Sequence, residues 1–158
     1  RFIVTGHQAK YEPGEIVPVQ KLGRKRRIPY AVLDDNNNFS PVRYIEMPDK
    51  VRFDDIGSGC SQCVELENGD LLMPTSFVET VDGVKQNAKV MVIRCTFDGT
   101  EMKLAELGNE LPIPQEPRGP GEGSLIKAKG RYFLTIRTDG HGYVSVSDDG
   151  LHYSQPKI

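Results

Sequence analysis

Two residues near the C-terminal end of the chain combine the right types for chemistry. Glu122 stands in Gly121-Glu122-Gly123-Ser124-Leu125, and Arg137 follows it fifteen positions later in Tyr132-Phe133-Leu134-Thr135-Ile136-Arg137. A positioned glutamate serves general acid or base chemistry. The planar guanidinium of an arginine meets a carboxylate through two parallel hydrogen bonds, which a lysine cannot do, so Arg137 suits the clamping of an anionic group. The two residues would also satisfy each other as an ion pair, and that reading stands beside the chemical one. Arg118 and Asp139 lie at strand ends next to this pair, where loops commonly meet ligand. His7, in Thr5-Gly6-His7-Gln8, sits in a Gly-flanked loop and has a ring suited to acid or base work.

Other constellations are weaker. Cys60, Cys63 and Cys95 are an odd number of cysteines, and Cys60-x-x-Cys63 has neither a second such pair nor a histidine cluster to complete a zinc site. Positions three apart on a strand point to opposite faces, which also disfavours a shared metal. The three are read as small semi-buried side chains, with a disulfide from Cys95 to one of the others as the alternative in an exported protein. No metal and no cofactor is expected. The basic run Lys21 to Arg27 is read as a solvated loop, with a phosphate or anion site as its alternative.

Composition bounds the function class. The chain has 158 residues, 27% charged and 37% hydrophobic, which suits one globular domain over residues 1–158. Its net charge of −2 argues against a nucleic-acid partner, for which a basic face is expected. No apolar stretch approaches the roughly 20 residues of a membrane-spanning helix, so no membrane partner is expected. The first residue is Arg and no charged-then-apolar leader precedes the body, so a signal peptide is expected to be absent or already removed. Secreted, periplasmic and cytoplasmic locations all fit these features.

The elements that must position these residues read as short strands. Sixteen Gly and eleven Pro favour turns over long helices. Apolar runs pair across turn residues: Ile28 to Asp34 with Phe39 to Met47 across Asp35–Asn38, and Cys60 to Glu67 with Asp70 to Val78 across Asn68-Gly69, read as a type I′ turn. Lys89 to Phe97 pairs with Glu101 to Leu107 across Asp98-Gly99, and Leu125 to Ala128 with Tyr132 to Thr138 across Lys129-Gly130. Gly142 to Ser147 pairs with Leu151 to Ser154 across Ser147-Asp148-Asp149-Gly150; Phe2-Ile3-Val4 and Ile16-Val17-Pro18-Val19 are further strands. The Asn68-Gly69 turn recurs as Lys129-Gly130 about sixty residues on, and Asp98-Gly99 as Asp149-Gly150 about fifty on, spacings that suit a four-stranded blade. The expected fold is all-β, a β-propeller of which this chain covers about three blades, near residues 1–47, 57–110 and 121–156. Propellers close with about four to eight blades, so the chain is expected to be part of a larger ring.

Particular segments carry a family likeness. Gly57-Ser58-Gly59-Cys60-Ser61-Gln62-Cys63-Val64-Glu65-Leu66 followed by ENGDLLMPTSF resembles a sialidase blade, and Glu122-Gly123-Ser124-Leu125 is similar to the sialidase E-P-S strand with Gly123 in place of Pro. The segments VIRCTFDG, RGPGEGSL, GRYFLTIRTD and GYVSVSDDGLHY look like a branch of bacterial sialidase-like proteins with BNR repeats, or Asp-boxes. The likeness runs from about His7 to Tyr153 with its order preserved.

The resemblance implies a six-bladed propeller of the sialidase (neuraminidase) superfamily and an exo-glycoside hydrolase acting on an acidic sugar. Glu122 would be the base that takes a proton from a nucleophilic tyrosine, since sialidases depart from the two-carboxylate rule, and Arg137 would hold the sugar's anionic group. Gln62, on the equivalent inner strand of the preceding blade, would hydrogen-bond a sugar hydroxyl or else a neighbouring backbone. Ser147 to Tyr153 looks like an Asp-box one residue short, with Tyr153 in place of Trp, so Asp148 and Asp149 build the fold rather than act as acid and base. The acid/base Asp, the remaining arginines and the nucleophilic Tyr find no match here. The implied partner is a carbohydrate, with self-association or missing blades completing the ring. The alternative is a non-catalytic carbohydrate-binding propeller segment that assembles with other chains.

Overall fold

The computed structural model describes residues 2–6, 8, 13–14, 25–59 and 61–158. His7, Ile16 to Val19, Lys21 to Arg24 and Cys60 lie outside the described residues. The described residues form an all-β structure of antiparallel sheets with no helix.

The first sheet contains β1 (Phe2–Thr5), β2 (Pro29–Leu33) and β3 (Arg43–Tyr44) in that order. The second is built on β6 (Leu71–Phe77) and β9 (Lys89–Phe97). On one side of β6 lie β4 (Ile56–Gly57) and β5 (Val64–Glu65), both antiparallel to it at different heights, so the strand position beside β6 is broken in the middle. Pro74, which carries no N–H, sits in β6 at the height of that break. A hairpin of β7 (Thr80–Val81) and β8 (Val84–Lys85) interrupts the meander, and β10 (Met102–Leu107) and β11 (Leu111–Pro112) line the far side of β9. The third sheet is β12 (Gly123–Ala128), β13 (Arg131–Arg137) and β14 (Gly142–Ser147).

Period-two alternation decides how the sheets pack, because successive side chains of a strand leave it on opposite faces. Met73 and Phe77 of β6 and Met91, Ile93 and Cys95 of β9 share one core with Ile28, Tyr30 and Ile45 of the first sheet region. Leu72, Val90 and Val92 share the other with Leu125, Leu134, Ile136 and Tyr143 of the third sheet. The middle sheet is therefore buried on both faces, which is why its two central strands read as nearly continuous apolar runs. Tyr30 places its hydroxyl in the first core, where it accepts the Met102 N–H at 3.0 Å.

The turns separate two kinds of hairpin chemistry. Lys129 and Gly130 both have positive φ, 50° and 77°, and close the two-residue loop between Ala128 and Arg131 as a type I′ turn. At Asn68-Gly69 the type I′ expectation fails, because only Gly69 has positive φ. The Gly69 N–H bonds to the Leu66 carbonyl and the Leu66 N–H to the Asp70 carbonyl, a type I turn followed by a left-handed glycine. Asn68 instead accepts the Asp70 N–H on its side-chain oxygen, 3.1 Å away, and needs no left-handed backbone of its own. The β7–β8 hairpin at Asp82-Gly83, with φ of 50° and 78°, is an addition to the hairpins expected from sequence.

The turn at Ser147 has a dense set of local bonds. Asp149 Oδ1 accepts the N–H groups of Leu151 and His152, both at 2.8 Å, and Ser147 Oγ accepts that of Gly150 at 2.8 Å. Tyr153 is buried in the core between the second and third sheets, while Asp148 pairs at the surface with Arg131 at 2.7 Å. Residues Leu151 to Ser154 do not form the expected strand; the chain returns to β14 through the Ser154 N–H on Val146 and an antiparallel bridge between Lys157 and Val144. Burial alone would raise the Asp149 carboxyl, but the amides of His152 and Leu151 outweigh it and hold it well below the ordinary carboxylate range. Asp149→Ala is expected to cost about 1 kcal/mol at pH 7, the scale of a lost backbone cap. A carboxyl depressed in the folded state contributes stability above its unfolded pKa, near 3.9, and loses it as pH falls through the folded value. Denaturant titrations of both proteins should therefore converge at acid pH; a difference equal at pH 7 and pH 3 would contradict the assignment.

Cys63 and Cys95 are free thiols. Cys63 precedes β5 on one side of β6 and Cys95 lies in β9 on the other, so two strand spacings, roughly 9.5 Å, separate them. A disulfide needs Cα atoms within about 7 Å, which rules out the Cys63–Cys95 alternative. Burial pushes the Cys63 thiol up to about 11 and, with the neighbouring Cys63 and Asp70, the Cys95 thiol up to about 12, so both stay protonated at neutral pH.

Candidate functional site

The β12–β13 hairpin sets the geometry of the leading pair. Glu122 and Arg137 lie just beyond the Gly123–Ile136 pair, and the ladder continues through them, with the Arg137 N–H on the Glu122 carbonyl and the Gly121 N–H on the Arg137 carbonyl, both at 2.8 Å. Residues directly opposite on neighbouring strands share a face. Arg137 Nη1 accordingly meets Glu122 Oε2 at 2.9 Å, with side chains 64% and 54% exposed. The pairing read from sequence is realised, and both groups stay open to solvent. Gly59, at the break between β4 and β5, packs against the aliphatic part of Glu122, where an added Cβ would lie 3.3 Å from its Cγ.

Arg118 and Asp139 form a second ion pair at 2.9 Å, Arg118 from the loop between β11 and β12 and Asp139 from the turn between β13 and β14. The loop reaches its place through close backbone contact. The Ala88 N–H bonds to the Arg118 carbonyl at 3.2 Å, and Gly119, at φ 73°, lies so near Ala88 that a Cβ would run into its carbonyl.

Glu122, Arg137, Arg118 and Asp139 all line one cleft of about 590 Å³ at the end of the sheets where β6 finishes and β9, β12 begin. Its volume falls within the range of small-molecule sites. Arg26 and Lys85 complete its charged lining. Neither is a candidate on sequence grounds: Arg26 belongs to a basic run read as a solvated loop, and Lys85 to the additional β7–β8 hairpin. Both reach Asp55, Arg26 through a short Nε contact and Lys85 at 3.0 Å. Arg26 and Asp55 are largely buried, so that end of the basic run is part of the folded wall. Burial alone would raise the Asp55 carboxyl; the hydrogen bonds from Arg26 and Lys85 outweigh it and keep it below its ordinary value.

Gln62 is exposed and is not among the residues lining this cleft, and its carbonyl accepts the Leu125 N–H at 3.0 Å, joining the segment that leads into β5 to β12 of the third sheet. Asp148 and Asp149 lie at the other end of the third sheet, about 20 Å from Arg137 along a six-residue strand. Among the described residues no group of three or more His, Cys, Asp or Glu is placed to hold a metal ion. Among the described residues no helix is long and apolar enough to cross a membrane. The cleft thus gathers guanidinium, ammonium and carboxylate groups, with each of its four cations paired to a carboxylate. No family model matches this sequence, and no curated protein matches it.

Proposed function

We propose that this chain forms three blades of a sialidase-type β-propeller and that the protein is an exo-glycoside hydrolase acting on an acidic sugar. The observation that carries this reading is the charge of the cleft: Arg26, Lys85, Arg118 and Arg137 line it against the carboxylates Glu122 and Asp139, with Asp55 paired to both Arg26 and Lys85, in a chain whose net charge is −2. Cations gathered in a cleft of an acidic protein raise the local concentration of an anion. In this reading Arg137, with Arg118, holds the sugar's carboxylate, and Glu122 is the base toward a nucleophilic tyrosine from another blade. The acid that protonates the leaving group finds no match in this sequence.

Binding requires an exchange of partners, because Arg137 and Arg118 are each occupied by a neighbouring carboxylate. Both pairs are exposed, and exposed ion pairs are worth only about 0–1 kcal/mol, so an incoming carboxylate can displace them at little cost. Arg137→Ala is expected to weaken binding of N-acetylneuraminic or glucuronic acid about tenfold or more, the value of a charge-assisted bidentate contact. Calorimetric titration of the full-length protein checks this. Release of methylumbelliferone from glycosides of such acids, abolished with the same binding lost, tests the reading as a whole; unchanged affinity in the Arg137→Ala protein removes Arg137 from the site.

A second reading, a carbohydrate-binding propeller segment that assembles with other chains, draws support from the outer faces of the flanking sheets. Phe2, Leu33 and Phe39 line up across the first sheet, with Phe2 and Phe39 exposed, and Ile126, Phe133 and Val146 line up across the third, with Ile126 exposed. Exposed apolar rows of this kind mark surfaces that seek cover, whether from further blades or from another chain.

A further inference from the structure

Behind the cleft wall lies a carboxylate that the proposed chemistry does not use. Glu116 is buried, its side chain only 6% exposed, in the loop that carries Arg118. Its Oε1 meets His141 Nδ1 at 2.9 Å and accepts the Tyr143 hydroxyl at 3.0 Å. Gln115 Nε2 donates to the same tyrosine oxygen at 3.4 Å, and Gly140 passes so close that an added Cβ would lie 3.1 Å from Glu116 Oε2. The facing turn closes on itself through Thr138, whose hydroxyl donates to the His141 carbonyl and accepts the His141 N–H.

We propose that Glu116 is a positioning residue of the cleft: by holding His141 and Tyr143 it docks the Glu116–Gly121 loop against the Thr138–His141 turn, and so sets Arg118 and Asp139 at the cleft mouth. The two segments are joined by two rungs of opposite polarity, Glu116 to His141 and Arg118 to Asp139, each two residues apart on either side. The outer rung is exposed, Arg118 at 82% and Asp139 at 52%, and an exposed pair of long side chains does not hold two segments in register by itself. The inner rung is buried at its glutamate end and shared between two donors, His141 and Tyr143, so a Glu116 carboxylate left unmatched there is costly and its geometry correspondingly fixed. Backbone bonds transmit that position over one turn. The Gly119 N–H closes on the Glu116 carbonyl at 3.0 Å, with Pro117 in the position a proline favours, so Arg118 stands one residue past Pro117 in a turn rooted on Glu116. The His141 bond first, and the Tyr143 bond after it, lower the Glu116 carboxyl against the opposing effect of burial, which agrees with an ionised anchor.

The importance of this device for function rests on the cleft being the anion site, but its test uses no sugar. Trypsin cleavage after Arg118 rises as the loop opens, and the Arg118 Nε–Hε signal in a ¹H–¹⁵N spectrum, assigned with Arg118→Lys, follows the environment of the guanidinium whose Nη1 makes the pair. In Glu116→Ala, cleavage at Arg118–Gly119 should accelerate at least ~10-fold over that after Lys103, and the Arg118 signal should move toward that of free arginine. Glu116→Gln, which keeps an acceptor for Tyr143, should restore most of both. His141→Ala, which removes an exposed ring, should move the Arg118 signal in the same direction and serves where Glu116→Ala does not fold. An Arg118 signal unmoved in His141→Ala, or cleavage accelerated equally at every site in both Glu116 variants, would overturn the proposal and leave Glu116 a contributor to stability alone. Absence of sugar binding in the unaltered protein with the Arg118 effects present would instead sink the functional reading and leave the positioning role standing.

Discussion

Glu122→Gln in the full-length protein is expected to lower turnover of an acidic glycoside by about a hundredfold or more, the usual scale for loss of a positioned acid or base. Binding should respond in the opposite sense. Glu122 is the partner that occupies Arg137, and the amide of Gln competes for the guanidinium far less well than a carboxylate. Affinity for the acidic sugar should therefore hold or rise while catalysis falls, a split that a loss of folding cannot imitate. In a lectin-like propeller there is no turnover to lose, and the same change acts on affinity alone. Steady-state kinetics paired with calorimetric titration decides between them; turnover unaffected by Glu122→Gln, on any glycoside the protein cleaves, would strike Glu122 from the mechanism.

The largest effect on stability is expected at Phe77. Its side chain is fully buried at the end of β6, packs edge-to-face on Phe53 with ring centroids 5.1 Å apart, and lies beneath Arg52 and Lys89. Those two cations close a ring with Glu79 and Glu110, in which Lys89 bonds both carboxylates at 2.9 and 2.8 Å and Arg52 bonds both through short contacts. The ring is only partly buried and would contribute modestly by itself; the aromatic floor beneath it is what the first core loses on truncation. Phe77→Ala should cost about 3–5 kcal/mol, the range for deleting a buried aromatic. For a domain of this length that corresponds to a fall in Tm of roughly 6–20 °C, readable by calorimetry. A loss below about 1 kcal/mol would mean that the first sheet does not pack on the second as described.

Much of the leading pair is legible in the sequence. Glu122 and Arg137 lie seven residues on either side of Lys129-Gly130, so recognising that turn already sets them opposite one another. The Arg118–Asp139 contact shows in the sequence only as nearness to strand ends, since no ladder joins the two residues. Asn68-Gly69 misleads, because Asn carries out two turn chemistries: a left-handed backbone, or a side chain that accepts a nearby N–H, and the second operates here. His141 reads as an ordinary turn residue because nothing in the local sequence reveals that its ring meets a buried glutamate 25 positions away.

What the sequence determined by itself was the all-β character and most hairpins, because strand alternation and left-handed turn positions are decided among residues a few places apart. The charge of the cleft was decided only in three dimensions. Arg26, Asp55 and Lys85 come together across separations of 29 and 30 residues, and they stand opposite Glu122 and Arg137 only because the second sheet packs against both of its neighbours. Local rules reward a lysine or an arginine for being solvated, and tertiary packing alone chose which of them face the same space.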